Sequence, residues 1–188
     1  VWRTDSHWQI TDKYLPVEKE YTELYGKSRY FTRYKHDIVF HSFQYDGFFT
    51  FSRKEDPVFH PILFSRPFPR DNESRLKEAN SGQWQLLAET PFVVDGYNIV
   101  EISIAGQGQQ MFAVNASNKI FGNSEVCPKN IPINIIGTMG NHFVGYINDN
   151  YELYRNLVAY GFQKGSPEAE DILSRGGCCL IIYSVGNL

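Results

Sequence analysis

Hydrophobic and polar residues along the middle of this chain alternate with a period of two, the spacing of strands whose successive side chains point to opposite faces. The clearest stretch is 98–105: Val100, Ile102 and Ile104 share one face while Glu101 and Ser103 share the other. A half-solvated strand is expected there. Short apolar-rich runs at 37–43, 48–53, 61–66, 83–89, 109–115, 131–136 and 142–148 are separated by Asp, Gly or Pro, as strands and turns should be. Gly106-Gln107-Gly108 lies between two of these runs and reads as a hairpin turn. Several short strands at this spacing predict a mainly β protein, a sandwich or barrel of antiparallel strands.

After Asn148 the period changes. Leu153, Leu157 and Val158 stand at helical spacing within 151–160, with Asn150 as N-cap and Gly161 past the end. Ser166-Pro167-Glu168 marks a second helix start: a Ser cap, Pro at the first helical position, and acids beside the positive end of the dipole. That helix should stop at Gly176-Gly177, and the apolar run 178–185 then reads as a final buried strand. At the other end, 1–30 carries Trp2, Trp8, Tyr14, Tyr21 and Tyr25, with a short helix expected in 16–25 ended by Gly26. The expected organisation is therefore an N-terminal segment, 1–30, packed on a sandwich, 31–148, followed by an α-α-β extension, 149–188. If the last strand joins the sandwich edge the whole is one enlarged domain; if it pairs with another subunit the protein is a homo-oligomer.

Composition agrees with strands. Aromatic residues make up 15% of the 188, and Tyr and Phe suit pleated, half-buried surfaces. The net charge of −3, without a polybasic run, removes the electrostatic footprint that nucleic-acid binding needs. The basic and aromatic mixture at 27–35 is better read as a strand showing Arg and Lys to water on alternate positions. No run approaches the roughly 20 apolar residues of a membrane-spanning helix, so no membrane insertion is expected. The chain opens Val1-Trp2-Arg3, without Met or a secretory apolar region, as expected of a processed product or an excised piece. Three cysteines, Cys127 and the adjacent Cys178 and Cys179, imply no disulfide framework and leave open one bridge from Cys127 to either of the pair, and buried thiols at the start of an apolar strand behave as small hydrophobes. Asn72 and Asn115 both match the N-glycosylation acceptor pattern.

No catalytic motif stands out: there is no nucleophile elbow, no phosphate-binding loop and no zinc-protease pattern. His36 and His41 are five apart, on opposite faces of a strand, which argues against a shared metal. No cofactor or metal is expected, and the chain is not expected to be an enzyme.

Certain residues in the middle resemble a galectin-type lectin domain over about 110 residues, 37–146. Phe112-Ala113-Val114-Asn115, then Phe121, then Ile133-Asn134-Ile135-Ile136-Gly137 is similar to that family's F-x-V-N run, later phenylalanine and closing L-x-I-x-G. Thr90-Pro91-Phe92-Val93-Val94-Asp95-Gly96 resembles its PF-x-x-G with one additional residue. The resemblance implies a jelly-roll, galectin-like sandwich of two sheets and metal-independent recognition of β-galactosides. In that family a tryptophan stacks on the apolar face of galactose while His, Asn, Arg and Glu bind its hydroxyls. Matched position by position, His41 and Trp84 are kept. Phe43 stands for the asparagine, Tyr45 for an arginine, Leu87 for the glutamate and Glu89 for another arginine, with Ser65 and Arg66 near a further asparagine. Each lost charge-assisted hydrogen bond costs roughly 1.5–3 kcal/mol, so ordinary galactoside affinity should be gone. Trp84 suits a sugar platform or a core position equally, because a one-residue slip exchanges the sheet faces.

The expected function is a non-catalytic recognition module with a degenerate galactoside site that binds a protein partner, with His41, Phe43, Gln44, Tyr45, Arg66 and Trp84 as candidate contacts. The alternative is a lectin of altered glycan specificity using Trp84, His41, Gln44 and Arg66. A thiol-dependent activity at Cys179 or Cys127 is the enzymatic reading.

Overall fold

A computed structural model of the chain describes residues 1–16, 29–79, 83–94, 96–115, 117, 120–121, 134–159, 161 and 163–183. The chain is mainly β. A hairpin of β1 (Trp2–Thr4) and β2 (Ile10–Lys13) comes first. An antiparallel four-stranded sheet follows in sequence order: β3 (Phe31–Tyr34), β4 (Asp37–Phe40), β5 (Gly47–Phe51) and β6 (Val58–Pro61). After the helix α1 (Asn72–Glu78) come β7 (Gln85–Leu87), β8 (Phe92–Val94), β9 (Tyr97–Ile104), β10 (Gly108–Asn115) and β11 (Ile120–Phe121). These form a second antiparallel sheet in which β7 and β8 flank one side of β9 in succession and β10 lies on the other.

The two sheets face one another. Val39 of β4 and Phe48 of β5 meet Leu87, Val100 and Ile102 in one buried cluster, so the apolar face read from 98–105 is the sandwich interior. Glu101 and Ser103 are not left fully solvated on the other face. Ile99 and Ala113, on that side, pack with Phe92, Val94 and Phe143 in a second cluster, and Phe143 belongs to a third sheet of β12 (Asn134–Met139), β13 (His142–Asn148) and β14 (Cys178–Tyr183). The expected half-solvated strand is therefore covered on part of both faces.

Residues 29–33 tie these layers together. Thr90 Oγ1 donates to the Tyr30 carbonyl at 2.8 Å, Thr32 Oγ1 donates to the Pro91 carbonyl, and Thr138 Oγ1 donates to the Arg33 carbonyl at 3.2 Å.

The tail folds for the reasons its sequence gives. Asn150 Oδ1 accepts from the Leu153 N–H at 2.8 Å and Ser166 Oγ accepts from the Ala169 N–H at 3.3 Å, which starts α2 (Tyr151–Ala159) and α3 (Pro167–Ser174) by satisfying amides that have no helical partner. Tyr154, Leu157 and Leu173 then pack on Ile147 of β13. β14 pairs antiparallel with β13, so the boundary expected at 148 falls inside one continuous sheet.

Other expectations shift. The run 61–66 is not a strand: the pairing sits earlier, at Val58–Pro61, and Leu63 is 94% exposed. The final strand is not buried, since Leu180 and Ile182 point outward, 66% and 54% exposed, while Cys179 and Ile181 pack beneath the helices. Cys178 is an exposed free thiol and Cys179 a half-buried one, so only the second behaves as expected. The helix α1 was not foreseen, though Asp71 caps it by accepting from the Ser74 N–H at 2.7 Å. The helix expected at 16–25, Cys127 and most of 116–133 lie outside the described residues.

Candidate recognition surface

The residues picked from the family resemblance separate into interior and surface groups. His41, without solvent exposure, and Phe43, at 7%, are buried. Phe43 packs with Phe68 and Leu86 in a small cluster against which Trp84 lies half-buried. The His41 ring sits 2.8 Å (Nδ1) from the Gly47 carbonyl oxygen and 2.9 Å (Nε2) from that of Leu87. Neither residue is placed to touch a ligand. Gln44 is half-buried, and its side-chain Nε2 is buried without a hydrogen-bond partner among the described residues.

Arg66, Trp84 and Tyr45 do reach the surface, and the backbone explains where. Residues 66–68 run parallel to β7: the Gln85 N–H donates to the Arg66 carbonyl at 2.8 Å, and the Phe68 N–H donates to the Gln85 carbonyl at 3.0 Å. This sets Arg66 and Trp84 side by side in a depression of about 400 Å³ that Pro67, Pro69 and Glu78 complete. Trp84 meets the Phe68 ring edge-on at 4.8 Å, and the Arg66 guanidinium donates to Gln83 Oε1. On the other side of Pro67, Tyr45 lines a second depression of about 330 Å³ with Phe59 and Arg70. Its ring meets Phe49 edge-on at 5.0 Å, and Arg70 pairs with Asp46 at 2.9 Å. Both depressions are shallow, and the shared Pro67 makes them one surface.

A larger concavity lies elsewhere, a trough of about 1080 Å³ between the β1–β2 hairpin and the four-stranded sheet, with Trp2, Phe31 and Ile38 exposed in it. Arg3 on its wall is already engaged by Asp12 at 3.3 Å and by the Glu55 carbonyl at 2.9 Å.

Sequence reading missed two half-buried or buried charges. Arg29, beside Glu89 and Glu101, donates from its backbone N–H to Glu89 Oε2 at 2.9 Å and from Nε to the Thr90 carbonyl at 3.0 Å, with its guanidinium 3.5 Å from Glu101 and 4.0 Å from the centre of the Phe92 ring. Arg75 in α1 is 1% exposed and lies 5.7 Å from the centre of the Phe68 ring. Alternation had marked Glu101 as solvent-facing, and no local signal links residues 29, 89 and 101.

Burial raises the Glu101 pKa above 4.5, the neighbouring Glu89 adds to the rise, and Arg29 opposes it. The folded state thus holds this proton to higher pH than the unfolded chain does, so stability falls as pH rises from about 4.5 through the folded value. Glu101→Gln is expected to remove that part of the slope in urea titrations run at successive pH values, and Arg29→Gln to steepen it. A Glu101→Gln profile superposable on the wild-type one would refute this assignment.

Among the described residues no group of three or more His, Cys, Asp or Glu could hold a metal, and no helix is long and apolar enough to cross a membrane. No protein-family model matches the sequence, and no curated protein matches it. Among solved structures, the crystal structure of a "Putative exported protein" from Bacteroides fragilis NCTC 9343 is similar to this chain, with a TM-score of 0.59 at 11% identity. The likeness covers 97% of this chain but 57% of that one, so the chain spans little more than half of that protein's length. At this identity the likeness is one of fold alone.

Proposed function

We propose that this chain is a non-catalytic recognition module, a galectin-like sandwich with a degenerate galactoside site, that binds a protein partner through the surface centred on Pro67. The observation that carries the reading is the meeting of Tyr45, Arg66 and Trp84 on adjoining shallow depressions that share Pro67. Tyr, Trp and Arg are the side chains that dominate protein interface energetics: the two aromatics bury much area with few rotatable bonds and carry a polar end, and Arg presents a planar fork of donors that also stacks on aromatic rings. Prolines at 61, 67 and 69 limit backbone freedom around them, which lowers the entropy lost on binding. The galectin-like part of the reading rests on the two facing antiparallel sheets and on the place of the resembling runs: Phe112–Asn115 lies in β10 and Phe92–Val94 forms β8.

The glycan reading is favoured by one observation, the guanidinium of Arg66 beside the Trp84 indole in a single depression.

The test is photo-crosslinking from position 45 under native conditions, with a glycan array run in parallel. Tyr45→Ala and Arg66→Ala should each weaken partner binding tenfold or more, and Arg66→Ala, whose side chain is exposed, should move the melting temperature by less than about 2 °C. Array hits that need Trp84 and Arg66 would favour the lectin. Partner binding indifferent to both substitutions would remove this surface from consideration.

A further inference from the structure

The facing sheets do not close on each other along their whole length. Beyond the cluster at Val39, Leu87 and Val100, the inner face of β9 and β10 borders a cavity of about 580 Å³, within the range of small-molecule pockets, about 300–1,000 Å³. Ile104, Phe112 and Val114 line it from the five-stranded sheet and Phe48 from the four-stranded one, while residues 61–65 supply its lip. Of the run 61–66, expected as a strand, residues 61–65 line this cavity. Leu63 and Ile120, which also line the cavity, are 94% and 64% exposed.

The lining is uncharged. Among the described residues it contains no Asp, Glu, Lys or Arg, and its polar members are His60, Ser65, Gln85 and Asn98. Two of these satisfy each other, Ser65 Oγ donating to Gln85 Oε1 at 3.1 Å. His60 stacks on Phe48 at 4.8 Å with Nε2 3.0 Å from Thr50 Oγ1, and burial lowers its pKa below 6.5, so the ring is neutral at pH 7.5. The half-buried Asn98 amide is left facing the space with no side-chain partner among the described residues. An apolar slot whose described polar groups are two amides, a hydroxyl and a neutral imidazole selects against ions, because no described side chain there carries a charge to compensate a buried one.

We propose that this cavity is a binding site for an uncharged, elongated apolar molecule with a single polar end group, such as an acyl or isoprenoid chain ending in a hydroxyl, ester or amide. The site adjoins the Tyr45 depression, with which it shares Pro61, Ile62, Leu63 and Phe64, but it does not depend on the reading of the surface around Pro67. Binding here is driven by removal of hydrocarbon from water, so affinity should climb roughly three- to fourfold with each added methylene until the cavity is full.

Isothermal titration of the full chain at pH 7.5 with 1-octanol, 1-decanol and 1-dodecanol, and with decanoate, tests it. The expected result is saturable binding that tightens along the alcohol series, with decanoate at least tenfold weaker than decanol. Leu63→Asp places a carboxylate on an exposed lip position and should weaken decanol tenfold or more without lowering the melting temperature. Val114→Trp should do the same by filling the space, and Leu63→Asp still decides the matter if that variant does not fold. Absence of saturable binding, no dependence on chain length, a preference for decanoate, or decanol affinity indifferent to Leu63→Asp would each overturn the proposal.

Discussion

Replacing His41 by alanine is expected to lower the unfolding free energy by about 3–5 kcal/mol, read from urea unfolding as a shifted midpoint at constant slope. The ring is fully buried and both of its nitrogens lie within 3 Å of main-chain carbonyl oxygens. One carbonyl belongs to Gly47, which opens β5 in the four-stranded sheet. The other belongs to Leu87, which closes β7 in the five-stranded sheet. A single side chain therefore fastens the two layers at the end where Phe43, Phe68 and Leu86 form their own small cluster. In either tautomer the neutral ring donates one N–H to one of these carbonyls, and alanine would leave that carbonyl without its donor, at about 1–3 kcal/mol if it finds no water. It would also open a hole beside Phe43, whose ring meets the imidazole edge-on at 5.7 Å. His41→Gln retains one donor and should lose less. A loss below about 1 kcal/mol in His41→Ala would show that the layers are held elsewhere.

This residue also shows why the site was harder to read than the fold. The family resemblance offered His41 and Phe43 as contacts, and both are core groups. Whether a histidine at a strand end faces inward or outward depends on where the opposing sheet places its carbonyls, and Leu87 is 46 residues away. The pairing of Arg66 with Trp84 has the same character. It follows from residues 66–68 lying parallel to β7, a pairing without local alternation or turn chemistry to announce it. The apolar cavity was hidden because Ile62-Leu63-Phe64 has the composition of a strand. Its backbone instead leaves the ladder after Pro61, which has no N–H to donate to it.

The fold was legible where local chemistry and global packing agree. The β9–β10 hairpin carries alternation over Val100–Ile104, and its glycines adopt positive φ, +73° at Gly106 and +78° at Gly108, a conformation other residues enter at a cost. The tail carries its own caps. The third layer was not legible: that Ile99 and Ala113 would be covered by Phe143 is invisible in a strand whose polar face looks solvated.

Gly47→Ala is expected to be at least as damaging as the loss of His41, by about 3–5 kcal/mol or enough to prevent folding. Gly47 has φ +150°, and a Cβ added there would stand 2.3 Å from the His60 carbonyl oxygen and 2.9 Å from atoms of the Phe59 ring. The ring could turn aside, but the carbonyl is main chain of β6. Gly47 is paired with Pro61 in that ladder, so relief requires β5 and β6 to separate. Separation would carry the Gly47 carbonyl away from His41 and disturb the Phe48–His60 stack that walls the apolar cavity. The two substitutions should therefore be coupled: the double variant should lose less than the sum of the singles by roughly 1 kcal/mol or more. Decanol binding in any Gly47→Ala protein that folds should fall as well. Strict additivity would show that the inter-sheet fastening and the strand crossing act independently, and a Gly47→Ala protein with the wild-type midpoint would contradict the close approach of these strands.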